Sequence, residues 1–193
     1  MRLRAEHWEA LRTAAAGEAA EQGWVGPACG ISAAVFRGLA SLGLCEMAPP
    51  EQVPALGLGR QAGWAVRLTD DGHDALVYEA LRNATPPANP ATASDADAGR
   101  RRVGLSPVDM LVLRRYVAAA AALRSPPVKG LEKALLDAVQ EAQGGRYVLW
   151  LTEQEVASVA RAFFLERISG TSASANRLGR EHGAIYQSGQ NAR

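Results

Sequence analysis

The sequence predicts a mainly α-helical chain with a small β component, an α+β class, and three patterns predict it. Apolar residues recur at helical spacing through most of the chain. Two short runs, residues 64–68 and 146–151, read as strands, and each leads through Leu-Thr into the start of a helix. A tract without any large apolar residue, residues 85–99, divides the chain.

In the first half, Trp8, Leu11, Ala15 and Ala19 fall on one face of a first amphipathic helix. Ser32 stands at the N-cap of a second, on which Val35, Leu39 and Leu42 share a face with Phe36 at its edge. Gly43 is placed to end that helix in a left-handed cap. After glycine-rich excursions at residues 23–30 and 57–63, the run 64–68 puts Trp64, Val66 and Leu68 on one strand face and Ala65 and Arg67 on the other. Thr69 caps a helix over residues 70–82, with Asp70 and Asp71 in the first turn where the helix dipole favours anions.

Ser106-Pro107-Val108-Asp109 combines an N-cap, a proline at the first helical position and an acid at the third, and opens a helix to about residue 123. Its apolar residues lie on two sides, Val108, Leu111, Val112, Tyr116 and Leu123 on one and Met110, Leu113 and Val117 on another, which predicts a central, buried helix. Beyond Pro126 and Pro127, Leu131, Leu135, Ala138 and Val139 face inward on an amphipathic helix that turns Glu132, Lys133, Asp137 and Glu141 outward. Gly144-Gly145 turns into the strand 146–151, and Thr152 with Glu155 forms a capping box. The helix that follows carries Val156, Val159, Ala160 and Phe163; Gly170-Thr171-Ser172 breaks it before a last short helix, residues 173–182. The expected organisation is a domain over 1–83, a linker over 84–102, a helical domain over 103–186 and a frayed tail over 187–193. Residues 63–69 and 145–152 look alike, which reads either as a repeated unit or as the common form of a strand entering a capped helix.

With 193 residues, 48% hydrophobic and 21% charged, the chain reads as an ordinary soluble globular protein. No apolar run follows the basic N-terminal residues and none approaches a membrane span, so the expected location is the cytoplasm and no membrane partner is expected. Cys29 and Cys45 are too few for a disulfide framework. Net charge is +1, with 19 of the 21 basic residues arginine. It conceals an asymmetry: residues 1–83 sum to −3 and residues 100–193 to +6.

Between Ile31 and Leu81 the order is helix, strand, loop, strand, capped helix, which is how a winged helix-turn-helix is built. The segments Leu39-Ala40-Ser41-Leu42-Gly43-Leu44 and Arg67-Leu68-Thr69-Asp70-Asp71-Gly72 resemble the Leu-x-x-Leu-Gly-Leu and Arg-Leu-Thr-x-x-Gly segments of winged helix-turn-helix regulators of the MarR or PadR kind. That resemblance covers under half the chain and implies a recognition helix followed by a wing. The whole chain also resembles an uncharacterised actinobacterial, chiefly streptomycete, family through Trp64-Ala65-Val66-Arg67-Leu68-Thr69 and Ala175-Asn176-Arg177-Leu178-Gly179-Arg180-Glu181. No functional residues carry over from it.

The expected function is a DNA-binding transcriptional regulator, acting as a homodimer on double-stranded DNA. Alternatively, the winged helix serves as a docking scaffold in a protein-interaction module without enzymatic activity. With Val35, Leu39 and Leu42 inward, the face left for DNA is Ala34, Arg37, Gly38 and Ser41, with Ser32 at the helix start. Arg60 in the wing and Arg67 on its strand add cations. A second candidate surface is Asn176, Arg177 and Arg180 on the last helix, supported by Arg161 and Arg167, with Arg100-Arg101-Arg102 as a phosphate-contacting arm. No catalytic set, cofactor or metal is expected. Gly57-x-Gly59-x-x-x-Gly63 lacks the dinucleotide spacing, and helix-start electrostatics account for the acids around His73.

Overall fold

A computed structural model describes residues 2–18, 23–59, 62–83, 99–141, 145–170 and 186, and among them the chain is mainly helical with two small antiparallel sheets. Two compact units divide it, Leu3–Leu76 and Val77–Tyr186.

The first unit runs α1 (Ala5–Glu18), a 3-10 turn (Pro27–Cys29), α2 (Ala33–Ser41), β1 (Cys45–Met47), a second 3-10 turn (Val53–Leu56), β2 (Val66–Leu68) and the start of α3 (Asp70–Arg82). On α1 the buried stripe is His7, Trp8, Ala10, Leu11 and Ala14, so the inward face is rotated away from Ala15, which is half-buried. Phe36 and Leu39 are the buried residues of α2, while Val35 and Leu42 flank them half-exposed. Gly43, at φ 73°, ends α2 as expected: its N–H donates to Ala40 O and the Leu44 N–H to Leu39 O. Ser32 holds the N-cap position, but its exposed side chain makes no capping bond. β1 and β2 pair with Glu46 opposite Arg67, and Val25 bridges to Val66 on the far side of β2. The long hairpin excursion is packed over Ala48, Val53 and Ala65, with Trp24, Leu56 and Leu58 against them.

Thr69 joins this hairpin to α3. Its hydroxyl donates to Gly43 O (2.6 Å) and accepts from the Gly72 N–H (3.2 Å), while its own N–H donates to Leu44 O (3.2 Å). Glu18 closes the same corner, one carboxylate oxygen accepting from the Leu68 N–H and the other 2.9 Å from His73 Nε2. Cys45 is buried here as a free thiol, and desolvation, then the Glu18 charge, push its pKa up to about 12.

The division between units falls inside α3 rather than at residue 83, because Tyr78 and Arg82 bond within the second unit. That unit continues with β3 (Arg101–Leu105), α4 (Pro107–Ala118), a 3-10 turn (Ala120–Ala122), α5 (Leu131–Leu136), β4 (Val139–Gln140), β5 (Tyr147–Leu151) and α6 (Glu153–Ser169). Three expectations are corrected. Arg101 and Arg102, assigned to the linker, begin β3, where Val103 and Leu105 are buried and the whole strand pairs with β5. α5 stops at Leu136, and Val139, expected inward on it, is 55% exposed in β4 opposite Val148; strand pairing overrides the helical spacing. α4 is not central, because Val108 and Leu111 are exposed. α6 is the helix enclosed on all sides, buried almost continuously from Glu155 to Ser169.

Both capping boxes form as the sequence predicts. Asp109 Oδ2 accepts from the Ser106 N–H (2.9 Å) and Glu155 Oε2 from the Thr152 N–H (2.7 Å), each answered by a bond from the acid's N–H to the cap hydroxyl. Deep in this unit Glu166 gathers three donors. Tyr78 Oη donates to Oε2 at 2.9 Å, Arg115 Nη1 lies 3.4 Å from Oε2, and Arg82 Nε lies 3.5 Å from Oε1 while its guanidinium also bonds Ser169 O.

The two units repeat one arrangement. In each, a helix and a short helical turn or helix precede an antiparallel hairpin, and the last strand is central, flanked by the earliest strand segment: Val25 beside β2 in one, β3 beside β5 in the other. Residues 64–68 and 147–151 share one exposure pattern, half-buried, buried, buried, exposed, buried, before the capping Thr69 and Thr152. In this register Arg67 corresponds to Trp150 and Trp64 to Tyr147, so the two tryptophans that make the sequences look alike are not equivalent.

Candidate nucleic-acid interface

The outward face of α2 is set by Phe36 and Leu39, whose burial turns Ala34, Arg37 and Ser41 to solvent, with Gly38 half-buried between them. This is the face expected from the sequence. Ser41 Oγ donates to Gly38 O at 2.8 Å, so the hydroxyl is folded back on its own helix. Arg37 is exposed at the middle of α2, and Phe36 beside it is pinned by the Trp64 ring, 5.5 Å between centroids. The helix is thus packed from behind through Phe36, while its solvent face carries one guanidinium.

Arg67 is exposed but engaged. Its guanidinium makes 2.7 and 2.8 Å bonds to Glu46 Oε2 and stands 4.8 Å from the Trp24 ring centroid. The cross-strand pairing of Glu46 with Arg67 thus neutralises one of the cations assigned to DNA. An exposed pair of this kind is worth little in stability, so a phosphate can compete for the arginine. Arg60, Asn176, Arg177 and Arg180 lie outside the described residues, as does the helix expected over 173–182.

The support expected from α6 does not hold. Arg161 is 5% exposed, with Nε donating to Tyr186 Oη at 3.1 Å and Nη1 to Ser125 O, and Arg167 lies against the Phe164 ring at 5.4 Å. Arg161 is thus closed off from a duplex, and Arg167 is half-buried against its ring. The arginine cluster after the linker is part of a sheet: Arg101 pairs with Glu153 at 2.7 Å and Arg102 with Glu141. Sequence reasoning missed its setting because β3 has only Val103 and Leu105 as large apolar residues.

Around α3, Asp71 and Asp74 are buried and His73 is paired with Glu18. Among the described residues no group of three His, Cys, Asp or Glu side chains is placed to hold a metal ion, and no helix is long and apolar enough to cross a membrane.

The chain is thus a two-unit α+β protein in which each unit sets a short helix before an antiparallel hairpin. Residues 57–191, more than half of it, match DUF6417, a family of unknown function, and the chain belongs to that family. The matched span begins after α2 and includes the whole second unit's described sheet and α6. No curated protein and no solved structure matches the chain.

Proposed function

We propose that this protein is a cytoplasmic DNA-binding transcriptional regulator of the winged helix-turn-helix type that acts as a homodimer. The observation that carries the proposal is the element order of the first unit: α1, the Val25 strand residue, a helical turn, α2, then the β1–β2 hairpin with β2 central. In helix-turn-helix proteins the second helix enters the major groove while the first crosses the backbone. By that geometry α2 is the reading helix and the packed excursion between β1 and β2 is the wing.

Arg37 is the residue on α2 able to reach a base edge or phosphate, with Ser32 and Ser41 as shorter polar contacts. Arg67 joins when phosphate displaces Glu46, and Arg60, Asn176, Arg177 and Arg180 complete the proposed contact set. Affinity for a duplex rests largely on phosphate neutralisation, and residues 1–83 carry net −3, so two copies of α2 are needed for useful binding. The same scarcity of charge on α2 favours a second reading, in which the winged unit docks a protein partner.

Fluorescence anisotropy with pooled genomic duplex fragments at low and moderate salt separates the two. The expected result is saturable, salt-sensitive binding that Arg37→Ala weakens about fivefold or more, the loss of about 1 kcal/mol typical of a single arginine contact. Absence of duplex binding at low salt would sink the regulator reading.

A further inference from the structure

The outer face of the β3–β5–β4 sheet is not used by the duplex reading, and its composition is unusual for a solvated surface. Residues directly opposite one another share a face, and so do alternate residues along a strand. The pairings Arg102 with Trp150, Gly104 with Val148, and Val139 with Val148 therefore place Arg102, Gly104, Val148, Trp150 and Val139 on one side, Val148 itself buried, and the bonds of Arg146 to Gly104, Glu141 to Arg102 and Arg100 to Trp150 bring those three residues beside them. The other side holds Val103, Leu105, Leu149 and Leu151, all buried.

On the outer side Trp150 is 45% exposed at the middle strand. Arginines frame it. Arg102 stands directly across from it, Arg100 Nη1 donates to Trp150 O (3.3 Å), and Arg146 lies over Gly104, donating to its carbonyl at 3.2 Å. The Arg146 guanidinium lies 3.6 Å from where a Cβ of residue 104 would stand, an ordinary van der Waals contact. Among the described residues, one carboxylate on this face, Glu141, stands with three guanidinium groups.

We propose that this face is a platform for single-stranded nucleic acid, with a base stacked on the Trp150 indole and the sugar-phosphate chain running across Arg100, Arg102 and Arg146. An exposed aromatic surface attracts any base, because every base has a π face, and the arginines supply charge for the backbone. Charge decides against a second copy of the chain as the occupant. A two-fold contact through this face would set the same arginines of both copies against each other, with Glu141 the one carboxylate among the described residues of each to offset them. A phosphate chain meets no such repulsion and displaces Glu141 from Arg102, an exposed pair of low intrinsic worth. The platform stands independently of the role proposed for α2.

The test is anisotropy of a labelled oligothymidylate titrated with the full chain at low and moderate salt. Expected are saturable binding, a weakening of about tenfold or more in Trp150→Ala, near-retention in Trp150→Phe, and a shallower salt dependence in Arg102→Gln and Arg146→Gln. These side chains are surface-exposed, so unchanged thermal unfolding checks that each variant folds. Arg37→Ala should leave oligothymidylate binding intact, which separates this proposal from the duplex one. It is overturned if the oligonucleotide does not bind at low salt, if Trp150→Ala binds as well as the parent, or if Trp150→Ala instead abolishes self-association seen by analytical ultracentrifugation.

Discussion

Replacing Glu166 with alanine is expected to cost about 3 kcal/mol, toward the lower end of what breaking a buried charge pair costs. Glu166 is 8% exposed and serves Tyr78, Arg115 and Arg82, so its removal leaves a buried phenol and two guanidinium groups without their shared acceptor. The lower end applies because the Arg82 side chain, 28% exposed, regains water. For a unit of this size the melting temperature should fall by roughly 12–20 °C. Glu166→Gln, which keeps an acceptor for Tyr78 but no charge for the arginines, should lie between. A melting temperature unchanged in Glu166→Ala would show that the cluster contributes nothing. The cluster also has a pH signature. Burial, then the Glu166 charge, raise the Tyr78 pKa well above its ordinary 10.0, against a smaller opposing effect of Arg115. A neutral phenol is thus favoured in the folded state. Its contribution to stability is complete below pH 10 and is lost as pH climbs from there through the folded value. Tyr78→Phe should flatten that alkaline decline.

Gly72→Ala is expected to destabilise the first unit by about 3 kcal/mol, against the general rule that alanine improves a helix. A Cβ at Gly72 would sit 2.1 Å from the Leu44 carbonyl oxygen, which is itself held by the Thr69 N–H. Backbone rather than a flexible side chain is in the way, so relief requires moving the turn after α2 or the start of α3. Gly63→Ala provides the control: no atom lies within 4 Å of its would-be Cβ, and it should leave the melting curve unmoved. Equal stability of the two variants would mean that the close approach at Leu44 is easily relaxed.

Much of the first unit was legible in the sequence because its signals are local. Gly43 and Thr69 each act within a few residues and resolve as expected, whereas the apolar spacing of α2 is right about Leu39 but puts Val35 and Leu42 inward where Phe36 is the residue buried beside it. The exposed face of α2 followed from the same spacing. What was illegible depends on partners distant in the chain. Arg67 reads as a free cation until its cross-strand neighbour Glu46 is known, 21 residues away. Arg161 reads as a basic surface residue until Ser125 and Tyr186 enclose it. β3 is hidden because Arg102 and Gly104 occupy its outer face and Arg101 opens its inner one, and only the pairing with β5 reveals the alternation. The Glu166 cluster left one trace, a carboxylate flanked by Phe163, Phe164, Leu165 and Ile168, where a solvated acid would be out of place.

The enclosure of α6 has a consequence for how the second unit opens. A helix with a free face can loosen alone, but one walled in along nearly its full length exposes its amides only when its surroundings come apart. Hydrogen exchange along α6 should therefore report the global opening of that unit, and the slowest amides of the whole unit should be found there.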